Sequence, residues 1–133
     1  MRIELGVLAV FAIGLASSTA FAQTAPPAEN KGVSIAPLSG FELAKQGLSD
    51  LDQRQFRIRQ ITIEPGGVIA AHSHAKRPAL TYILKGTLLE HRNGEDHVYK
   101  PGEVITESTD VNHWAENTGN EPVVLISADL FKE

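Results

Sequence analysis

Five histidines occur in this 133-residue chain, and two of them, His72 and His74, stand one residue apart in "EPGGVIAAHSHAKRPALTYILKG". In an extended strand side chains alternate faces, so both imidazoles project to the same side with their Cα atoms about 6.6 Å apart. At that spacing two neutral imidazoles can converge on one first-row metal ion. A third nitrogen from another strand would leave positions open for water or substrate. His113, in "NHWAEN", is the natural third ligand. Taken alone, His-x-His fits a polar strand rim as well as a ligand pair, because many histidines are simply surface residues.

The elements that must position these residues read as strands. From Gln55 onward, short β-like runs are separated by turn formers at intervals of about ten residues, the signature of an all-β sandwich or barrel. The runs are "QFRIRQITIE", "VIAAHSH", "LTYILKG", "TLLEHR", "HVYK", "EVITES", "NHWAEN" and "EPVVLISADLF". Breaks are expected at Pro65-Gly66-Gly67, Lys85-Gly86, Asn93-Gly94, Pro101-Gly102 and Thr118-Gly119-Asn120, with Asn93-Gly94 the strongest hairpin signal. In the first run Phe56, Ile58, Ile61 and Ile63 mix with Arg57, Arg59 and Thr62, which predicts one wet face. Upstream, a short strand is expected at Val33–Ile35 and a single helical turn around Glu42–Gly47. There is no internal repeat.

Residues 1–22 read as an export signal: Arg2, the apolar run "LGVLAVFAIGLA", and the small-residue site Ala20-Phe21-Ala22, with cleavage after Ala22. The expected location is therefore periplasmic or secreted. Residues 23–32 ("QTAPPAENKG") read as a disordered linker, and residues 33–133 as one domain. With no cysteine in the chain, an exported domain of this size must stand on a well-closed core rather than on disulfides. The net charge of −4 is scattered and no Lys/Arg block appears, which excludes the usual phosphate-tracking surface and makes nucleic acid an unexpected partner. Apart from the signal, no segment is apolar enough to cross a bilayer, so no membrane partner is expected after cleavage.

The motif spacings resemble the cupin superfamily, specifically a small single-domain cupin. Its first motif is glycine, five residues, His-x-His, three or four residues, glutamate, six residues, glycine; Gly66, His72, His74 and Gly86 fall at matching positions. Its second motif runs glycine, five residues, proline-x-glycine, two residues, histidine, three residues, asparagine; Gly102, His113 and Asn117 match. The resemblance spans about Phe56 to Phe131 and implies a single antiparallel β-barrel of the double-stranded β-helix (jelly-roll) type. Two departures stand out. The motif glutamate falls at Ala79, which cannot bind a metal, and Ser108 and Asp110 replace the usual proline and glycine of the second motif.

Loss of that glutamate leaves a three-histidine site, as in cupin dioxygenases, or a degenerate cupin without metal; the survival of all three histidines favours the former. The resemblance thus implies one divalent transition-metal ion (Fe, Mn, Cu, Ni or Zn) on His72, His74 and His113. Glu107 resembles the glutamate that three-histidine diketone-cleaving cupins carry before their last ligand, and is the candidate catalytic residue. Glu90 is a second carboxylate whose facing the sequence leaves open, and Arg77 could meet an anionic substrate at the pocket rim. Trp114 and Tyr82 are expected in the core or pocket wall, His91 and His97 at the surface, and Asn117 in a structural role. The implied activity is oxygenase-like, metal-dependent dioxygenase chemistry on a small organic molecule. The alternatives are a non-catalytic small-ligand or metal-binding module, or a metal-dependent isomerase or lyase. Many cupins are homodimers, and "QFRIRQITI" is the candidate dimer edge.

Overall fold

The computed structural model describes residues 25–51 and 53–132; the expected signal at 1–22 lies outside the described residues. Eight strands follow one another: β1 (Lys31–Glu42), β2 (Arg54–Ser73), β3 (Ala79–Lys85), β4 (Leu88–Arg92), β5 (Glu95–Tyr99), β6 (Val104–Glu107), β7 (Asn112–Glu116) and β8 (Val123–Lys132). Two single 3-10 turns, Ala44–Gln46 and Ser49–Leu51, lie between β1 and β2. Every pairing is antiparallel, in the order β5-β4-β7-β2-β8-β3-β6 with β1 alongside β2, and the sheet curls into a nearly closed barrel.

The all-β expectation and the Asn93-Gly94 hairpin both hold. Asn93 and Gly94 carry φ of 55° and 79°, as a two-residue loop between right-twisted strands requires. Two runs expected as separate strands are instead one. Pro65-Gly66-Gly67 is not a break but a corner inside the 20-residue β2, where the strand leaves β8 (last pair Ile63↔Val123) and takes up β7 (first pair Val68↔Glu116). Gly66 sits at φ 73°, and a Cβ on Gly67 would come within 2.9 Å of the Gly32 carbonyl, so the corner demands both glycines. Asn117 pins it. Its N–H donates to the Gly67 carbonyl, its carbonyl accepts from Gly66 N–H, and its buried side chain donates to the Ile63 and Glu121 carbonyls.

β1 is far longer than Val33–Ile35, because it finds ten register partners along β2. That pairing corrects the expected dimer edge: "QFRIRQITI" is flanked by β1 on one side and β8 on the other, so its backbone is already satisfied. Within residues 23–32, Pro27 and Asn30 bond to β2, and β1 opens at Lys31.

The barrel interior is graded along its axis. At one end Ile63, Ile83, Leu88, Ile105, Ala115, Val123 and Leu125 form the buried core. One ladder step on, Arg59, Ser127 and Thr81 lie in register across β2, β8 and β3, and two residues further come Arg57, Asp129, Ala79 and Glu107. The expectation that the arginines mark a wet face is therefore reversed. Arg57 and Arg59 turn inward to buried Asp129, at 2.7 and 3.0 Å, while Phe56, on the opposite face, is 40% exposed. An ion pair in the interior overrides simple hydrophobic alternation. Tyr82 is likewise on the outside, 42% exposed, and Trp114 faces outward, its ring stacked on His91 at 3.7 Å.

Asp129 also lies 3.5 Å from Arg77, so one carboxylate tethers three guanidinium groups drawn from β2 and the loop after it. Asp129→Ala would leave those charges without a buried counterion. The arginines retain some access to water, which holds the loss to the lower end of the range for a broken buried pair, about 3 kcal/mol. Urea unfolding followed by circular dichroism is expected to show the corresponding fall in midpoint; an unchanged midpoint would show that the cluster does not stabilise the barrel.

Candidate metal centre

A β-bulge aims the histidines. Ile69 pairs with Ala115 and His72 with His113, so β2 takes three residues where β7 takes two. Without the extra residue, alternation from inward Ile69 would turn Ala71 inward and both His72 and His74 out. With it, Ala71 is exposed and the two imidazoles face the cavity. The bulge's freed N–H groups are taken up by the N-terminal segment: Ala70 N–H donates to Asn30 Oδ1 at 2.7 Å and Ala71 N–H to the Pro27 carbonyl at 2.9 Å. His74, just past the end of β2, is held by its N–H to the Val111 carbonyl.

Each imidazole is fixed through Nδ1. His72 Nδ1–H donates to the Ala70 carbonyl at 2.8 Å and His74 Nδ1–H to the Arg77 carbonyl at 2.9 Å. Carbonyls cannot donate, so the partners set the tautomer. His113 Nδ1–H donates to Glu90, a fully buried carboxylate that also receives Arg92 at 2.6 Å. All three rings therefore present a bare Nε2 lone pair to one point. The Nε2 atoms are 3.1, 3.0 and 3.1 Å apart. Three lone pairs at that spacing repel one another unless a cation lies among them. Bonds of about 2.1 Å at right angles would put neighbouring ligands about 3.0 Å apart, so the triangle fits one face of an octahedral ion.

Electrostatics agree with that fit. Burial pushes His72 and His74 below the ordinary histidine value, against the help of their carbonyl partners, which keeps both neutral as ligands must be. Burial works in the opposite sense on Glu90, but the hydrogen bonds from His113 and Arg92 outweigh it and hold its carboxyl below the usual range. Glu107 differs: burial dominates and raises it, despite His113 and the Thr81 hydroxyl. Glu107 is 7% exposed and its oxygens lie 3.7 Å from His113 Nε2 and 3.9 Å from His74 Nε2.

The structure thus brings His72, His74, His113 and Glu107 together, and resolves the facing of Glu90, which backs His113 from behind. Arg77 lines the same cavity, about 250 Å³ in volume, with apolar walls from Ile61, Ile69, Leu88 and Leu125. Sequence reasoning passed over Arg59, Thr81, Ser127 and Asp129. Ser127 and Asp129 continue the every-second-residue series of buried Val123 and Leu125 in "VVLISAD", a period-2 signal that the strand's inner face turns polar. His91 and His97 stay outside the site; His91 bridges Asp96 and Glu116.

Comparison with known proteins follows the same lines. Residues 59–129 match the family described as Cupin domain. The oxalate-binding protein of Thermotoga maritima is 34% identical over 72 residues, a match covering 54% of this chain and 60% of that protein, so the likeness spans less than two thirds of the relative's length. Among solved structures, a predicted oxalate decarboxylase from Thermotoga maritima superposes with TM-score 0.62 at 23% identity, over 80% of this chain and 93% of the other. The cupin domain of Schizosaccharomyces pombe Cnp3 gives 0.63 at 16% identity, over 77% and 66%. At these identities the superpositions establish the fold alone.

If the Nε2 triangle is a ligand set, His72→Ala and His113→Ala should each abolish stoichiometric metal, read by elemental analysis of purified protein. Glu90→Gln keeps the shape behind His113 but removes its charge, and should weaken metal binding by about tenfold in a chelator competition. Metal content unchanged in both histidine variants would exclude the site.

Proposed function

The chain belongs to the cupin domain family, and from that premise we propose that it is an exported, metal-dependent cupin carrying oxygenase-like chemistry on a small organic acid. The observation that carries the reading is the convergence of three bare Nε2 lone pairs, 3.0–3.1 Å apart, in a buried pocket with a cationic wall. The residues fit a single divalent transition metal. When bound, such an ion supplies a Lewis-acidic centre with open positions and, if redox-active, a route to dioxygen chemistry.

The chain's own residues supply the rest. The carbonyls of Ala70 and Arg77, with Glu90, lock the three imidazoles in one tautomer and orientation. The apolar end of the barrel excludes water from one side of the cavity, which strengthens every charge interaction inside it. Arg59 and Arg77 line the other side. Three arginines share the one carboxylate of Asp129, leaving an excess of positive charge, and Arg59 Nε is buried with no partner among the described residues. A carboxylate entering the cavity could accept that N–H while its other end faces the three histidines. The relative's name, an oxalate-binding protein, supports the same substrate class. It also favours a second reading in which the barrel captures a small carboxylate without turning it over.

Oxalate serves as the binding probe. In metal-loaded protein, Arg59→Met should weaken oxalate binding by about tenfold or more, the effect of losing a charge-assisted hydrogen bond of about 1.5 kcal/mol or greater, measured by calorimetry. Unchanged affinity would remove the arginine wall from the reading. An oxygen electrode run with a panel of small carboxylates tests the chemistry: substrate-dependent oxygen uptake supports the oxygenase, while its absence across the panel with the bound carboxylate recovered unchanged supports capture.

A further inference from the structure

We propose that Glu107 is a fourth metal ligand, delivered from β6 across the ladder from Ala79. The inference rests on the metal reading above and concerns which groups complete that centre. Ala79 and Glu107 are direct register partners on β3 and β6. Ala79 is the position at which the first motif would place its glutamate, and its buried methyl group cannot bind a metal, whereas Glu107 lines the cavity together with His74 and His113.

Three lines of geometry and charge converge. First, Glu107 contacts His113 Nε2 through Oε1 at 3.7 Å and His74 Nε2 through Oε2 at 3.9 Å. Ligands at right angles on one ion stand about 3.0 Å apart, so each carboxylate oxygen is within about 1 Å of ligand spacing from one of the two nitrogens, and a side-chain rotation would bring the group to the point the imidazoles share. Second, the hydroxyl of Thr81, 3.1 Å from Oε2, steadies the carboxylate and is itself 3.1 Å from Ser127 Oγ, which limits the swing of the group away from the cavity.

Third, the buried carboxylates are not alike in their partners. Asp129 faces Arg57, Arg59 and Arg77, and Glu90 faces Arg92 as well as His113. The direct partners of Glu107 are a hydroxyl and two imidazoles whose protons are committed on the far side of the ring. A buried carboxylate is expensive without a cation, and three neutral nitrogens leave both charges of a divalent ion uncompensated. Each group meets the other's need at the same point. The centre would then be held by three nitrogens and one oxygen.

The test uses the full chain and compares wild type, Glu107→Gln, Glu107→Ala and the double variant Ala79→Glu/Glu107→Ala, each first checked for native circular dichroism. Zn(II) affinity by competition with a chromophoric chelator, and the visible absorption of the Co(II)-loaded protein, are read without reference to activity. Glu107→Gln and Glu107→Ala should each lose at least about tenfold in Zn(II) affinity and change the Co(II) spectrum. Returning the carboxylate through Ala79→Glu should recover most of the loss. Affinity and Co(II) spectrum unchanged in both single variants would overturn the proposal and leave Glu107 as a proton-handling group beside a three-histidine centre. Wild type that takes up no stoichiometric Zn(II) or Co(II) would overturn the metal reading and this one with it.

Discussion

Three imidazole lone pairs aimed at one point are the constraint around which this barrel is organised. Neutral nitrogens 3.0–3.1 Å apart have nothing to gain from each other once their protons are committed to outward partners. The fold nevertheless spends a bulge carbonyl, a turn carbonyl and a buried glutamate on committing those protons. A site built only for stability would let one ring donate to the next. The tautomer locks make sense when the interior is arranged for a cation.

That arrangement depends on β2 more than on any other element. It forms one wall of the barrel with β8, turns at Gly66-Gly67, and forms another with β7, so Arg57, Arg59 and His72 come from the same strand, with His74 and Arg77 following directly after it. The corner is held by Asn117, just beyond β7, the strand that carries His113. The bulge after Ile69 then reverses the inward parity. A single-residue deletion there would send His72 and His74 to solvent while leaving the ladder otherwise intact, which makes the bulge, not the histidine spacing, the feature that creates a site.

Much of this was legible in the sequence, for identifiable reasons. Strand runs, the Asn-Gly hairpin and the His-x-His pair are local signals, and the glycine and histidine spacings of the two motifs fix the fold because each spacing reflects a corner or ladder that tolerates little change. What escaped were features set by long-range pairing. Arg57 and Arg59 read as solvent-facing until Asp129, 72 and 70 residues away, is seen beneath them. Glu90 lies two residues from Arg92 in sequence, but its role depends on His113 coming in from β7. The length of β1 was hidden for the same reason, since its partner β2 and not its own composition makes it a strand.

The axial gradient reconciles stability with a polar interior. With no disulfide to close the chain, folding must come from apolar burial, and the cluster of Ile63, Ile83, Leu88, Ile105, Val123 and Leu125 concentrates it at one end. Two of the carboxylates in the polar layers are matched there, Asp129 to its arginines and Glu90 to Arg92 and His113. A reactive centre in the middle of the hydrophobic cluster would empty it, and one at the rim would be open to water. Set one to two ladder steps above the core, the histidines and Glu107 are mostly shielded from water yet line the cavity that Arg59 and Arg77 share. That position lets a small barrel hold charge without surrendering its core.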